Sequence, residues 1–167
     1  MAPAREPPGT RHNGVMDVTA DLEAPCPPAQ LFDSVDDLGG YPEWLEIVER
    51  AEVAPPHPDD DGDAAWLVDL RGRLGPLARS KRLRMVRTTC DAPGLVRFER
   101  REHDGRNHSD WVLEAEVQPV EADADGPASR LVMRLHYGGV FGGSVLEKLL
   151  SDAIERSRPA LLQRLSS

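Results

Sequence analysis

A single change of hydrophobic period near the end of the chain constrains the fold most. From Gly142 to Leu165, apolar residues recur at steps of three and four, which predicts one amphipathic helix of about 22 residues. Most of the chain before it has the alternating pattern of β-strands instead. Because the apolar face of a lone long helix must be covered, we expect the strands to form a sheet that packs against this helix.

The strands are predicted to follow one another with only short turns between them. One strand comes first, two short helices follow, and six strands precede the long helix. Consecutive strands joined by turns favour an antiparallel meander, so we predict an α+β fold with a curved sheet around the helix. The predicted strands are Val15–Glu23, Val48–Ala54, Ala65–Arg73, Ala78–Cys90, Leu95–His103, Asn107–Val117 and Arg130–Tyr137, and the predicted short helices are Pro28–Asp37 and Tyr41–Ile47.

Composition and charge exclude several classes of protein. The 167 residues carry a formal net charge of −9, which opposes general nucleic-acid binding. No apolar run approaches the ~18 residues that a membrane span needs, so no integral membrane association is expected. The proline-rich residues 1–13 are expected to form a disordered leader before a single domain over residues 14–167. The two cysteines, Cys26 and Cys90, are too few for a disulfide framework, and we expect a cytoplasmic protein.

Two phrases in the first third of the chain resemble a known superfamily. They are Leu22-Glu-Ala-Pro25 at the end of the first predicted strand, and Val35-Asp-Asp-Leu-Gly-Gly-Tyr-Pro-Glu-Trp44 across the two short helices. With the order of the predicted elements, they resemble the START-like (SRPBCC) superfamily, and within it the polyketide cyclase/dehydrase and lipid-transport family. The resemblance extends from Val15 to Leu165 and implies the helix-grip fold, a seven-stranded antiparallel sheet around a long C-terminal helix with two short helices.

The resemblance implies one of two functions for a cavity between the sheet and the long helix. The first is the binding of a hydrophobic small molecule, a lipid or a polyketide-like compound, with no cofactor. The alternative is a polyketide aromatase/cyclase or dehydrase that acts on a ligand in the same cavity. Cyclases of this family use a pocket arginine and a tyrosine on substrate oxygens. By order along the chain Arg84 is nearest to that arginine, and Arg100 shares a predicted strand face with Phe98.

The inward faces of the predicted strands supply the candidate ligand-binding residues. Apolar side chains along one face form either a packed core or the wall of a cavity, and we expect about a third of them to contact a ligand. Tyr137 is the best candidate to hydrogen-bond a ligand, because its hydroxyl would lie among apolar groups. The resemblance places Phe141 near the mouth of the cavity. The predicted ligand-binding residues are Trp44, Trp66, Leu83, Met85, Phe98, Trp111, Met133, Tyr137, Phe141 and Leu150.

The histidines and a run of basic residues are the remaining candidates for a metal site and for a surface that binds an anionic partner. The histidines give no pair at the spacing typical of metal ligands, so no metal site is expected. Seven cations with no acid among them fall between Arg71 and Arg87, on two predicted strands. They form either a surface for an acidic protein or an anionic headgroup, or the solvated outer face of edge strands. The histidines are His12, His57, His103, His108 and His136, and the cations are Arg71, Arg73, Arg79, Lys81, Arg82, Arg84 and Arg87.

Overall fold

The computed structural model describes residues 16–71, 81–123, 125–138 and 143–166. The expected leader over residues 1–13 therefore lies outside the described residues. The strands are β1 (Met16–Ala24), β2 (Val48–Val53), β3 (Ala65–Leu70), β4 (Lys81–Asp91), β5 (Leu95–Arg100), β6 (Trp111–Asp123) and β7 (Gly126–Tyr137). The α-helices are α1 (Pro28–Asp33) and α2 (Gly143–Leu165), and the short 3₁₀ segments are Leu38–Glu43 and Pro58–Asp60.

The seven strands form one sheet with the order β1-β7-β6-β5-β4-β3-β2. Strands β2 to β7 are neighbours in chain order, and each pair is antiparallel. Strand β1 pairs with β7 at the other edge, where Met16 lies opposite Tyr137 and Ala24 opposite Ser129. Helix α2 packs against β1. The predicted α+β fold, with an antiparallel meander and a long C-terminal helix, is confirmed.

Strand β4 is buried on both of its faces in its first half. Leu83 and Met85 belong to the main core, as the alternating pattern predicts. Val86 points to the opposite side of the sheet and is also fully buried, because Ala54 and Ala65 form a small second cluster with it. The residues that lead from β2 to β3 therefore cover the outer face of the sheet at this position.

The segment before β2 differs from the two helices predicted there. Helix α1 ends at Asp33 instead of Asp37, and the second segment is a 3₁₀ turn that begins at Leu38. Asp37 has an extended backbone, and its carboxylate accepts a hydrogen bond from the Gly39 N–H at 2.7 Å. This side-chain contact caps the start of the 3₁₀ segment, because it satisfies a free backbone donor of the new turn.

The connection from β5 to β6 is also longer than predicted. Strand β5 ends at Arg100 and β6 begins at Trp111, whereas the pattern predicted strands as far as His103 and again from Asn107. In the intervening loop, the Asp104 carboxylate accepts a hydrogen bond from the Arg106 N–H at 3.0 Å and contacts His108 Nε2 at 2.8 Å. These local bonds replace the pairing that would have extended the two strands.

The aspartate-rich segment between β2 and β3 contains a buried carboxylate. Asp60 is only 1% exposed. Its carboxylate contacts Arg84 Nη2 at 2.7 Å and His103 Nε2 at 3.2 Å. The paired charges allow a carboxylate to be buried there, which the sequence pattern could not show because the three residues are far apart in the chain.

Candidate functional site

A cavity of about 70 Å³ lies between the inner face of the sheet, the 3₁₀ segment Leu38–Glu43 and helix α2. Its wall is formed by aliphatic, thioether and aromatic side chains, and it contains no carboxylate, imidazole or guanidinium group among the residues that the structure describes. The lining residues are Leu38, Tyr41, Leu45, Ile47, Val48, Val68, Leu70, Leu83, Met85, Trp111, Leu113, Met133, Leu135 and Ile154.

A second, smaller cavity of about 20 Å³ adjoins the first. Met133 and Ile154 line both, so the two volumes are separated by little more than these two side chains. Trp44 lines the smaller cavity, and its indole N–H donates to the Ser34 carbonyl at 3.3 Å. The smaller cavity is lined by residues of β1, β7 and α2.

The structure separates the ten predicted ligand-binding residues into several groups. Leu83, Met85, Trp111 and Met133 come together in the wall of the larger cavity, and Trp44 lies in the wall of the smaller one. Contact of each residue with a ligand stays a prediction.

The other predicted residues lie elsewhere. Trp66 and Phe98 are buried and pack edge to face, with ring centroids 5.6 Å apart. Tyr137 is buried beside Trp111, with ring centroids 4.7 Å apart. Phe141 lies outside the described residues, and Leu150 is in α2, where its side chain is not described.

Ten lining residues were not among the predicted ligand-binding residues, and four of these, besides Tyr41, come from one short stretch of the chain. Leu38, Leu45, Ile47 and Val48 lie in and after the 3₁₀ segment, which covers one side of the cavity. A segment of six residues is too short to establish a hydrophobic period, so its inward face could not be assigned. The signal that was available is composition, because apolar residues are dense from Leu38 to Val48.

Two polar groups interrupt the apolar wall. The Tyr41 hydroxyl donates to the Val35 carbonyl at 2.7 Å, and burial raises the pKa of this phenol far above its ordinary value. Tyr41 is thus an anchor for the segment that bears it. The indole Nε1 of Trp111 is buried and has no hydrogen-bond partner among the described residues.

Lys81 is not itself a lining residue of the cavity, but its side chain stands next to the aromatic rings of Trp111, which lines the cavity, and Tyr137. Its Nζ lies 5.5 Å from the centroid of the Trp111 ring and 5.4 Å from that of Tyr137. The side chain is half-buried, and burial lowers the pKa of its ammonium group. The nearby charge of Arg100 lowers that pKa further, and Glu102 opposes the effect.

Neither arginine that the sequence offered for a catalytic role lines the cavity. Arg84 is 8% exposed and is bound by Asp60 and by the Pro55 carbonyl at 3.0 Å, on the outer side of the sheet. Arg100 is bound by Glu102 at 3.0 Å and donates to the Ser109 carbonyl at 3.3 Å. Both guanidinium groups are therefore held in place by protein partners.

The fold also brings together two histidines that are distant in the chain. The rings of His57 and His103 stack with centroids 3.5 Å apart and an interplanar angle of 5°. Together with Asp59 they offer three potential metal-ligating atoms within 4.8 Å of one another. Two of these residues have protein partners already, because His57 Nδ1 accepts from the Asp59 N–H and His103 Nε2 contacts Asp60. These bonds hold the β2–β3 connection against the end of β5.

The whole described part of the chain matches one known protein family. Residues 16–166 match the model of a family described as polyketide cyclase / dehydrase and lipid transport. The chain belongs to this family. The resemblance stated from the sequence is thereby confirmed, while no curated protein sequence matches significantly.

Solved structures show the same fold for this member of the polyketide cyclase / dehydrase and lipid transport family. A START superfamily protein from Mycobacterium smegmatis has a TM-score of 0.66 at 14% identity, covering 90% of this chain and 97% of that one. A Thermus thermophilus protein has a TM-score of 0.61 at 21% identity, covering 90% and 94%. The Zhui aromatase/cyclase from a Streptomyces species has a TM-score of 0.59 at 12% identity, covering 91% and 94%. At such identities these similarities establish the helix-grip fold and leave the activity open.

Three cations of the run from Arg71 to Arg87 have partners within the fold, and one of them is Arg84, described above. Arg82 pairs with Asp69 at 2.7 Å on the neighbouring strand. Arg87 donates to the Asp36 carbonyl at 2.9 Å and stands over the Trp66 ring. Arg73 and Arg79 lie outside the described residues. In the described ranges, no helix is both long enough and apolar enough to cross a membrane.

Proposed function

We propose that this chain binds a hydrophobic small molecule, a lipid or a polyketide-like compound, in the cavity between the sheet and α2. The observation that carries the proposal is the predominantly apolar wall of the 70 Å³ cavity. Protein interiors normally fill such volume, since a cavity forfeits dispersion contacts and destabilises the fold. A cavity lined by apolar side chains with very few polar groups is typical of small-molecule sites.

The size of the cavity indicates how a ligand would enter. A volume of about 70 Å³ corresponds to roughly five or six water-sized positions, which is less than a lipid chain needs. The wall must therefore open, and the 3₁₀ segment Leu38–Glu43 is the short element that covers it. We expect this segment to move outward when a ligand enters, with Tyr41 at its centre.

Binding is better supported than turnover in this cavity. Proton transfer to or from a ligand needs a titratable group within hydrogen-bond reach. The described wall offers only the Tyr41 hydroxyl, which is committed to the Val35 carbonyl. An aromatase/cyclase or dehydrase activity therefore ranks second, and it would have to use groups at the end of the cavity near Lys81.

The hairpin from Arg71 to Arg87 stays a predicted contact for an acidic protein or an anionic headgroup. Three of its cations, Arg82, Arg84 and Arg87, have partners within the fold, so fewer charges are available than the sequence suggested. A binding affinity that falls steeply with salt would support such a partner. We therefore place the cavity ligand first.

The test is native mass spectrometry of the freshly purified protein, followed by binding of 1-decanol measured by displacement of the neutral dye Nile red. The blocking variant is Leu113→Phe, which enlarges a side chain of the cavity wall. The matched control is Val112→Phe, because its side chain points to the opposite face of β6. We expect the wild type and Val112→Phe to bind, and Leu113→Phe to bind at least several-fold more weakly. A clean apo mass together with no decanol binding to the wild type would reject the proposal.

A further inference from the structure

We propose that Lys81 and Trp111 form a polar end of the cavity that selects an amphipathic carboxylate, an apolar molecule with a single anionic head. This inference rests on the proposed function, since it concerns the same cavity. It adds the chemical class of the ligand and the two side chains that would recognise its head.

The first observation is the unpartnered indole of Trp111. Its side chain lines the cavity and is 6% exposed, and its Nε1 has no hydrogen-bond partner in the described part of the chain. An indole N–H can only donate, and buried donors are almost always satisfied in native structures. An acceptor oxygen on a ligand would satisfy this donor.

The second observation is the position of Lys81. It shares the inward face of β4 with Leu83 and Met85, which line the cavity. Its Nζ is 5.5 Å from the Trp111 ring centroid, so the cation lies beside the indole ring that carries the unpartnered N–H. A ligand whose tail lies against Leu83 and Met85 would therefore present its head to both groups.

The third observation concerns the partners of the Lys81 ammonium group within the described residues. No carboxylate of the described residues lies within salt-bridge distance of its Nζ. Glu102 is the acid whose charge raises the pKa of Lys81, but its carboxylate is already bound by the Arg100 guanidinium at 3.0 Å. A half-buried ammonium group without a counter-ion favours an anion, and charge-assisted hydrogen bonds are the strongest that a carboxylate accepts.

Contacts with the aromatic rings alone do not satisfy the polar groups of Lys81 and Trp111. Cation–π contacts with Trp111 and Tyr137 stabilise the Lys81 charge. An ammonium group has three N–H donors, so it can also donate hydrogen bonds to an oxygen acceptor. The cation–π contacts also do nothing for the Trp111 Nε1, which the same ring contributes. A carboxylate has two acceptor oxygens, so it can accept hydrogen bonds from both groups at once.

The test compares decanoate with 1-decanol, two ligands with the same tail and different heads, by isothermal titration calorimetry below their aggregation limits. Lys81→Gln removes the charge and Trp111→Phe removes the N–H. Arg82→Gln is the matched control, because this neighbouring cation is exposed and pairs with Asp69. We expect Lys81→Gln to weaken decanoate binding roughly tenfold and Trp111→Phe by a smaller factor, with decanol binding to Lys81→Gln unchanged. Arg82→Gln should bind both ligands as the wild type does.

The outcomes separate this inference from the proposed function. If the wild type binds decanol as tightly as decanoate, or if Lys81→Gln binds decanoate as the wild type does, the selective head site is wrong while the hydrophobic cavity stands. If the wild type binds neither ligand, the proposed function itself is rejected. Decanol binding to Lys81→Gln also shows that this variant is folded.

Discussion

Asp60 shows how a single buried charge organises this protein. It ends a three-residue 3₁₀ segment, yet its side chain is 2% exposed and contacts both Arg84 and His103. Arg84 also binds the Pro55 carbonyl, so two contacts fasten the β2–β3 connection to the outer face of β4 and a third joins it to the residues after β5. Removing one member of a buried ion pair is costly because the other charge stays without a partner.

We predict that Asp60→Asn lowers the free energy of unfolding by about 3 kcal/mol, since Arg84 loses its counter-ion in a buried place. The control is Asp59→Asn, whose side chain is 77% exposed. Substitution at such an exposed position changes stability by only about 0.5 kcal/mol or less. Urea unfolding followed by tryptophan fluorescence measures both. Equal stability of the two variants would contradict the role assigned to Asp60.

The lowered pKa of the Asp60 carboxyl predicts how the free energy of unfolding depends on pH. Burial alone would raise the pKa of Asp60, but hydrogen bonds from Arg84 and His103, with their charges, lower it below its ordinary value. The unfolded chain then binds the proton more readily than the folded one. The contribution of Asp60 to stability is therefore complete above about pH 5, declines as pH falls past the unfolded pKa of about 4, and is gone below the folded pKa. We expect the wild type to lose more stability than Asp60→Asn between about pH 5 and pH 3. Parallel curves over that range would show that Asp60 is not responsible.

Among the elements, the 3₁₀ segment Leu38–Glu43 over the cavity is the one whose contacts bear most directly on ligand entry. The Asp37 carboxylate caps its first turn, and an ideal Cβ on Gly39 would lie 3.0 Å from Asp37 Oδ1, so a side chain there would crowd the cap. Tyr41 anchors the segment to the residues after α1 through its bond to the Val35 carbonyl. The segment is thus held by a few specific bonds, which suits an element that must open for a ligand.

We predict that Tyr41→Phe lowers the free energy of unfolding by about 1 kcal/mol, because the Val35 carbonyl loses its buried donor. Tyr137→Phe is the matched control, since the Tyr137 hydroxyl has no hydrogen bond among the described residues. Chemical denaturation measures the difference between the two variants. A Tyr41→Phe variant as stable as Tyr137→Phe would show that this bond does not hold the segment.

At the scale of the whole molecule, the elements with a clear period were predictable and the contacts between distant residues were not. Alternation along β3 and β4 and the helical period of α2 predicted the sheet, the helix and the inward position of Leu83 and Met85. The ends of elements escaped prediction where a side chain bonds the backbone, as at Asp37 and Asp104. The free donor of Trp111 depends on what surrounds it after folding, which no pattern in the sequence contains.

Ligand binding in the cavity should stabilise the entire domain, because α2, the sheet and the 3₁₀ segment all contribute to the wall. A ligand that binds only the folded state at one hundred times its dissociation constant adds about 2.7 kcal/mol. For a chain of this size that corresponds to a rise in Tm of roughly 5–10 °C. We expect differential scanning calorimetry to show this rise for the wild type and for Val112→Phe, and a much smaller one for Leu113→Phe. An equal rise in all three proteins would place the binding site outside the cavity, since only one of the two substitutions alters its wall.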